Sequence, residues 1–276
     1  MMRPRKNGEW KKMKFKDILY EKRDGIAIAT FNRPDSLNTF SNGMLREFQY
    51  LLNDLERDKN LHVLILTGKG RAFSAGRNLK DLAFLYEAAS ASDKLRQEVQ
   101  LLASITKQLT HIPKVVIAAI NGLAVGIGAE FALACDIRMA SEKAFFGFPE
   151  VKRALFFTNG VMYFLPRLVG LGRAKDWLLT GENISAQEAL EAGLVTAVLP
   201  GDKLMQSVFD KSRIIAANAP LSIRLTKKAF QQTNEMDLES ILKLEENSVV
   251  ACHASEDFIE GTRAFIEKRD PVYKDK

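Results

Sequence analysis

Two glutamates in this chain stand where a carboxyl group could move protons. Glu130 lies within Ala129-Glu130-Phe131-Ala132-Leu133-Ala134, and Glu150 closes the apolar run Phe145-Phe146-Gly147-Phe148-Pro149. A carboxyl taken out of water resists ionisation, and two held close together share a proton because ionising both is costly. A carboxyl so placed can serve as a general acid or base. Each also has a plainer explanation: a first-turn helix acid facing water for Glu130, a solvated loop acid for Glu150. At Glu130 the helix N-terminus favours the anion and opposes the effect of desolvation.

Two glycine-bearing turns could supply a second chemical element. Ala72-Phe73-Ser74-Ala75-Gly76-Arg77-Asn78-Leu79 and Asn121-Gly122-Leu123-Ala124-Val125-Gly126-Ile127-Gly128-Ala129-Glu130 each follow a buried apolar strand. Glycine permits close approach of backbone to ligand, and N–H groups at a turn or helix start point outward unpaired. Two of them converging on one oxygen form an oxyanion hole. The second turn has Gly-x-x-x-Gly-x-Gly order, unlike the dinucleotide-binding Gly-x-Gly-x-x-Gly. The glycines alone argue for tight packing as much as for catalysis.

The elements that must position these groups follow from periodicity. Ile18–Glu21 and Gly25–Phe31 read as strands around the turn Lys22–Gly25, and Pro34 follows the second. Ser41 can cap a helix from Asn42 to Arg57, with Met44, Phe48, Leu51, Leu52 and Leu55 on one face. His62–Thr67 and Lys114–Asn121 read as buried strands, with a loop at Gly68–Gly76 after the first and a helix over Asp93–Thr110 between them. A helix over Ile127–Cys135 carries Glu130, and short strands are expected at Asp136–Ala140 and Ala144–Phe146. Beyond Pro149 the pattern turns helical: Gly160–Val169, Arg173–Leu179, Ala186–Ala192, Leu204–Asn218, Pro220–Gln232, Leu238–Ala251 and Ser255–Lys268. Strand-strand-helix units followed by helices imply an α/β core with a helical extension.

Bulk properties narrow the function classes. The 276 residues carry a net charge of +6, but Arg3, Arg5, Lys6, Lys11, Lys12, Lys14 and Lys16 near the N-terminus face only Glu9. The body is closer to balance, so the basic character is weak support for nucleic acid. A lysine-rich helix face is missing as well, since Asn42–Arg57 sets Arg46 and Arg57 against Glu47, Asp54 and Glu56. Cys135 and Cys252 make no disulfide framework, and Cys135 reads as a small buried hydrophobe. His62, His111 and His253 show no metal-ligand spacing, so no metal is expected. Val115–Cys135 is apolar, but Asn121, Glu130 and its glycines argue for strand, turn and helix over a membrane span. The N-terminus lacks an apolar secretory core, and a cytoplasmic location is expected.

Taken in order, Asn32-Arg33-Pro34, Ala72–Gly76, Ile117-Ala118-Ala119-Ile120-Asn121-Gly122 through Cys135-Asp136, and Phe146-Gly147-Phe148-Pro149-Glu150 resemble the successive signatures of the enoyl-CoA hydratase/isomerase (crotonase) superfamily. Ser255–Gly261 and Phe265–Arg269 resemble its C-terminal helix, and the likeness runs from about Met13 to Lys276. The resemblance implies a crotonase-like spiral of strand-strand-helix units. It divides the chain into a basic tail (1–12), a core with the CoA and acyl site (13–203), and a C-terminal helical region for trimerisation and CoA capping (204–276). The oxyanion donors fall on the N–H groups of Arg77 and Ile127, and the two hydratase carboxyls on Glu130 and Glu150. Ala75, Arg77 and Leu79 correspond to the adenine-side wall, Asp35, Ser36 and Leu37 to the pantetheine path, and Gly126 to a further substrate contact. Phe265 and Lys268 match positions that reach CoA in a neighbouring subunit. The implied activity is reversible hydration of a 2-enoyl-CoA, with the CoA thioester as substrate, no separate cofactor, and a homotrimer or a dimer of trimers.

Several positions depart from the family pattern. Arg77 and Asn78 stand where a small residue and an Asp are usual, so the Arg77 side chain could reach a CoA phosphate or stand exposed beside the pocket. Ile127 replaces a glycine and could narrow the acyl site. Ala154-Leu155-Phe156-Phe157-Thr158-Asn159-Gly160 replaces a Gly- and Pro-rich turn; one phenylalanine is expected to pack the core and the other to shape the acyl pocket. The alternatives that follow are an enoyl-CoA isomerase, a dehydratase, decarboxylase or thioester hydrolase, and, from other classes, a non-catalytic or RNA-binding relative.

Overall fold

The computed structural model describes residues 15–78, 80–81, 91–233 and 236–276. The expected basic tail and Leu79 lie outside the described residues. The chain opens with β1 (Ile18–Arg23), β2 (Ile26–Phe31) and α1 (Asn42–Arg57). It continues through β3 (Val63–Gly68), β4 (Ala72–Ser74), α2 (Ala91–His111), β5 (Val115–Ile120), β6 (Leu123–Val125) and α3 (Ile127–Leu133). β7 (Ile137–Ser141), β8 (Phe145–Gly147), α4 (Val161–Val169) and α5 (Leu171–Thr180) come next. The last part holds β9 (Asn183–Ser185), α6 (Ala186–Glu191), β10 (Ala197–Leu199), α7 (Gly201–Ala216), α8 (Pro220–Gln232), α9 (Leu238–His253) and α10 (Glu256–Glu267).

Strand-strand-helix units do repeat, as β3-β4-α2, β5-β6-α3 and β7-β8-α4. The first strand of each unit enters a six-stranded sheet of order β1-β2-β3-β5-β7-β10, in which only β1–β2 is antiparallel. The second enters a smaller sheet of order β4-β6-β8-β9. This alternation between two sheets is the expected spiral. The expected loop after β3 therefore contains a strand, β4, which pairs in parallel with β6.

Local chemistry sets the element ends. Ser41 Oγ accepts the Met44 N–H at 3.1 Å, and α1 buries Met44, Phe48, Leu51, Leu52 and Leu55 at helical spacing. Glu47 of α1 is also buried, its carboxylate taking the backbone N–H groups of Lys16, Asp17 and Ile18. β3 and β5 are buried throughout, as parallel strands covered on both faces must be. Leu64 and Leu66 face the main core, while Val63 and Ile65 face Leu204, Val208 and Phe209 of α7. The apolar run Val115–Cys135 resolves into β5, β6 and α3, and among the described residues no helix is long and apolar enough to cross a membrane.

Five rings, Phe31, Phe40, Phe48, Phe73 and Phe131, form the centre of the main core. Their closest centroids are 4.9 Å apart, for Phe31 and Phe40, and most of the pairs meet edge to face. Phe131 follows Glu130 directly, so this cluster fixes the helix turn that carries the carboxyl. Further on, α9 buries none of its own residues and exposes Leu238, Leu242, Val249 and Val250.

Candidate active site

Gly76 and Gly126 bring the two glycine turns into contact. Both have positive φ, +93° and +53°. A Cβ on Gly76 would stand 2.8 Å from the Val125 carbonyl oxygen and 3.6 Å from Gly126 Cα, so only glycine allows the approach. Arg77 and Ile127 are the next residue of each turn. Ile127 opens α3, where the first N–H groups have no partner within the helix. No acceptor takes the Arg77 or Ile127 N–H among the described residues. Two free donors thus follow two backbones in van der Waals contact, the arrangement an oxyanion hole requires.

Glu150 adjoins the same point. It lies on the 3-10 turn Pro149–Arg153, and its Oε1 is 3.1 Å from where a Cβ on Gly126 would be. Gly126 N–H donates to Gly147 O at 2.9 Å, tying the second glycine turn to the end of β8. Glu150 Oε2 is buried with no hydrogen-bond partner among the described residues. Burial, then the neighbouring charge of Glu130, pushes the Glu150 carboxyl up to about 7.

Glu130 is 1% exposed, so the solvent-facing alternative does not apply. Its carboxylate takes three hydrogen bonds: Thr158 N–H to Oε1 at 3.1 Å, and Thr158 Oγ1–H and Asn159 Nδ2–H to Oε2 at 2.6 and 2.8 Å. Burial raises its pKa and these donors oppose the rise. The two carboxyls are thereby coupled but held in unlike surroundings, one well solvated by protein donors and one bare.

The other expected residues separate into groups. Asp35 and Ser36 lie on the 3-10 turn Pro34–Ser36, and Leu37 O accepts the Ala75 N–H at 2.9 Å, so this segment borders the first glycine turn. The exposed alternative for the Arg77 side chain does not hold: the side chain is 8% exposed. Its guanidinium donates to Glu98 Oε1, Phe40 O and Asn42 Oδ1, which directs it into the protein toward α1 and α2. Ile127 is buried and packs in the main core. Phe157 packs against the core while Phe156 is 75% exposed, which assigns the packing role to Phe157. Phe265 and Lys268 stand at the end of α10, which packs chiefly on α9; Phe265 is 85% exposed, and the single chain does not bring the two to the glycine turns.

Glu98, Thr158 and Asn159 belong to the site and were missed by sequence reasoning. For Thr158 and Asn159 a signal existed, two polar residues directly after Phe156-Phe157 in the segment that departs from the family pattern. Glu98 carried none, being one of two acids on α2, with Asp93. Cys135 is buried, and burial pushes its thiol up to about 12, consistent with a packing role.

Two unpartnered backbone donors near two neighbouring carboxyls, on a two-sheet spiral, form an arrangement able to stabilise an oxyanion and to move protons. The sequence profile described as enoyl-CoA hydratase/isomerase matches residues 21–276, and the chain belongs to that family. It is 35% identical over 258 residues to the short-chain-enoyl-CoA hydratase of Clostridium acetobutylicum, covering 93% of this chain and 97% of that protein. It is 34% identical over 261 residues to the 2,3-dehydroadipyl-CoA hydratase of Escherichia coli, covering 94% and 98%. The crystal structure of an enoyl-CoA hydratase from Bacillus anthracis superposes with a TM-score of 0.89 at 36% identity, covering 95% of this chain and all of that one.

Proposed function

We propose that this chain catalyses the reversible hydration of a 2-enoyl-CoA to a 3-hydroxyacyl-CoA. The observation that carries the proposal is the contact of Gly76 with the Val125–Gly126 backbone, which sets the Arg77 and Ile127 donors beside Glu130 and Glu150. The thioester oxygen accepts both N–H groups. Glu130, whose three donors favour the carboxylate against the effect of burial, takes a proton from water as the water oxygen bonds to Cβ. The π electrons move toward the thioester oxygen, whose developing charge the two donors stabilise. Glu150, protonated near neutrality, gives its proton to Cα. The proton held on Glu130 then returns to Glu150 through solvent, restoring the starting state.

The same proposal extends to assembly. α9 leaves its apolar residues uncovered, which favours a trimer or a dimer of trimers, with Phe265 and Lys268 of one subunit at the CoA of the next. In this scheme residues 13–203 hold the chemistry, residues 204–276 join subunits and cap CoA, and the protein works in the cytoplasm.

The test is loss of the conjugated enoyl-thioester absorbance of crotonyl-CoA, with Glu130→Gln and Glu150→Gln alongside. Turnover to the 3-hydroxyacyl product, reduced at least about 100-fold in both variants, is expected. Wild-type protein that binds crotonyl-CoA without hydrating it would overturn the proposal.

A further inference from the structure

The turn into α4 is built around Glu130 in a way that treats the two carboxyls differently. Asn159 and Gly160 take successive left-handed conformations, φ +50° and +76°, and asparagine is among the few residues that tolerate this beside glycine. The turn directs the Thr158 N–H, the Thr158 hydroxyl and the Asn159 amide at one carboxylate. Asn159 is itself oriented, because Thr106 Oγ1 of α2 donates to Asn159 Oδ1 at 3.0 Å. With the amide turned over, its oxygen would face the carboxylate, which only accepts; the carboxylate therefore selects the orientation that presents N–H, and the Thr106 hydroxyl holds the amide there by donating to its oxygen. Oε2 of Glu130 receives two bonds and Oε1 one, so Oε1 keeps a free acceptor site. Glu150 Oε2 receives none.

We infer that Thr158, Asn159 and, through Asn159, Thr106 are positioning residues that hold Glu130 as an oriented carboxylate with Oε1 turned to the attacking water. The inference rests on the hydration proposed above. It gives a purpose to the segment Thr158-Asn159, whose departure from a Gly- and Pro-rich turn has no other account. Without these donors nothing would oppose the burial that raises the Glu130 pKa, and its ionised form would be harder to keep. The charged groups around Glu130 are few. Glu150 faces it from the turn after β8, with Arg153 beyond. Arg138 serves the far end of α3, bonded to the carbonyls of Ala132, Leu133 and Cys135. Among the described residues, the groups hydrogen-bonded to the Glu130 carboxylate, Thr158 and Asn159, and Thr106 behind Asn159, are uncharged.

The experiment compares kcat and KM for crotonyl-CoA hydration from about pH 5 to 9 in the wild type, Thr158→Val, Thr158→Ser and Thr106→Val. Glu130 acts when ionised, so kcat rises with pH through its pKa. Losing a donor raises that pKa and moves the acid limb upward. Thr158→Val is expected to lower kcat about tenfold or more and to shift the acid limb up by about one pH unit, with KM changed less than about threefold. Thr158→Ser, which keeps the hydroxyl, restores both, and Thr106→Val moves the limb in the same direction by less. An unmoved acid limb in Thr158→Val and Thr106→Val overturns the inference. A loss of kcat equal at all pH values and not rescued by serine also overturns it, since that marks packing alone. Failure of the hydration proposal is separate, because the unaltered protein would then not hydrate crotonyl-CoA at any pH.

Discussion

Replacing Gly76 by alanine isolates the contact on which the proposed oxyanion hole depends. The new Cβ would stand 2.8 Å from Val125 O and 3.5 Å from Val125 C, both backbone atoms that cannot swing aside. Relieving such an overlap moves the two turns apart by about half an ångström. Oxyanion donors work at about 2.7–3.1 Å, so a shift of that size disables one of the pair. Loss of one donor lowers kcat about 10²–10³-fold, or about 2.7–4 kcal/mol of transition-state stabilisation. A side chain at φ +93° adds a stability cost of about 1–2 kcal/mol, which must be told apart from the catalytic effect. Gly170 provides the control: its φ is +81°, and a Cβ there meets nothing within 4 Å. Gly170→Ala should lower thermal stability comparably and leave kcat within about twofold. The assay is the enoyl-thioester absorbance, with thermal melts of both variants. Wild-type kcat in Gly76→Ala, or an equal kcat loss in Gly170→Ala, would refute the reasoning.

Two further outcomes follow from the same site. Glu150 has a folded-state pKa raised to about 7, so folding favours its protonated form; the stability is fully present below the ordinary carboxyl pKa and is lost as pH rises through 7. Glu150→Gln should therefore be more stable than wild type at about pH 8, by about 1–3 kcal/mol given partial solvent access. That advantage should vanish below about pH 4.5 in thermal melts, and its persistence there would contradict the assigned cause. Arg77→Lys keeps the backbone donor but cannot reproduce the three-way fork to Glu98, Phe40 O and Asn42. It should cost about 2–4 kcal/mol in a denaturant midpoint with unchanged slope; a loss below about 0.5 kcal/mol would show that the buried pair is not held as described.

How far the sequence discloses this arrangement depends on the range of the interactions. α1 was legible to the residue, because Ser41 caps it and its apolar spacing is local. The short strands β4, β6, β9 and β10 have three residues each, too few for an alternation to register. Glu130 and Glu150 stood out because each carboxyl is embedded in an apolar run. The direction of the Arg77 side chain did not, since its partners come from Phe40, Asn42 and Glu98, on elements that only the fold brings together. Thr158 and Asn159 were visible as an oddity, but their target became clear only when the turn into α4 was seen to fold over α3. Phe265 and Lys268 lie away from the glycine turns within one chain, so the fold of a single subunit gives them no role in the site.

Helix α2 is joined to both halves of the site, by Glu98 to Arg77 near its start and by Thr106 to Asn159 near its end. For anyone reshaping this enzyme, the consequence is epistasis. A helix transplanted from a relative into residues 91–111 that lacked these two side chains would leave Arg77 with Asp81 as its counter-charge but without Glu98, and the Asn159 oxygen without its donor, although no residue of the glycine turns had changed. Glu98 with Arg77, and Thr106 with Asn159, are exchangeable only as pairs. Recombination libraries should therefore place their crossovers so that each pair is inherited together.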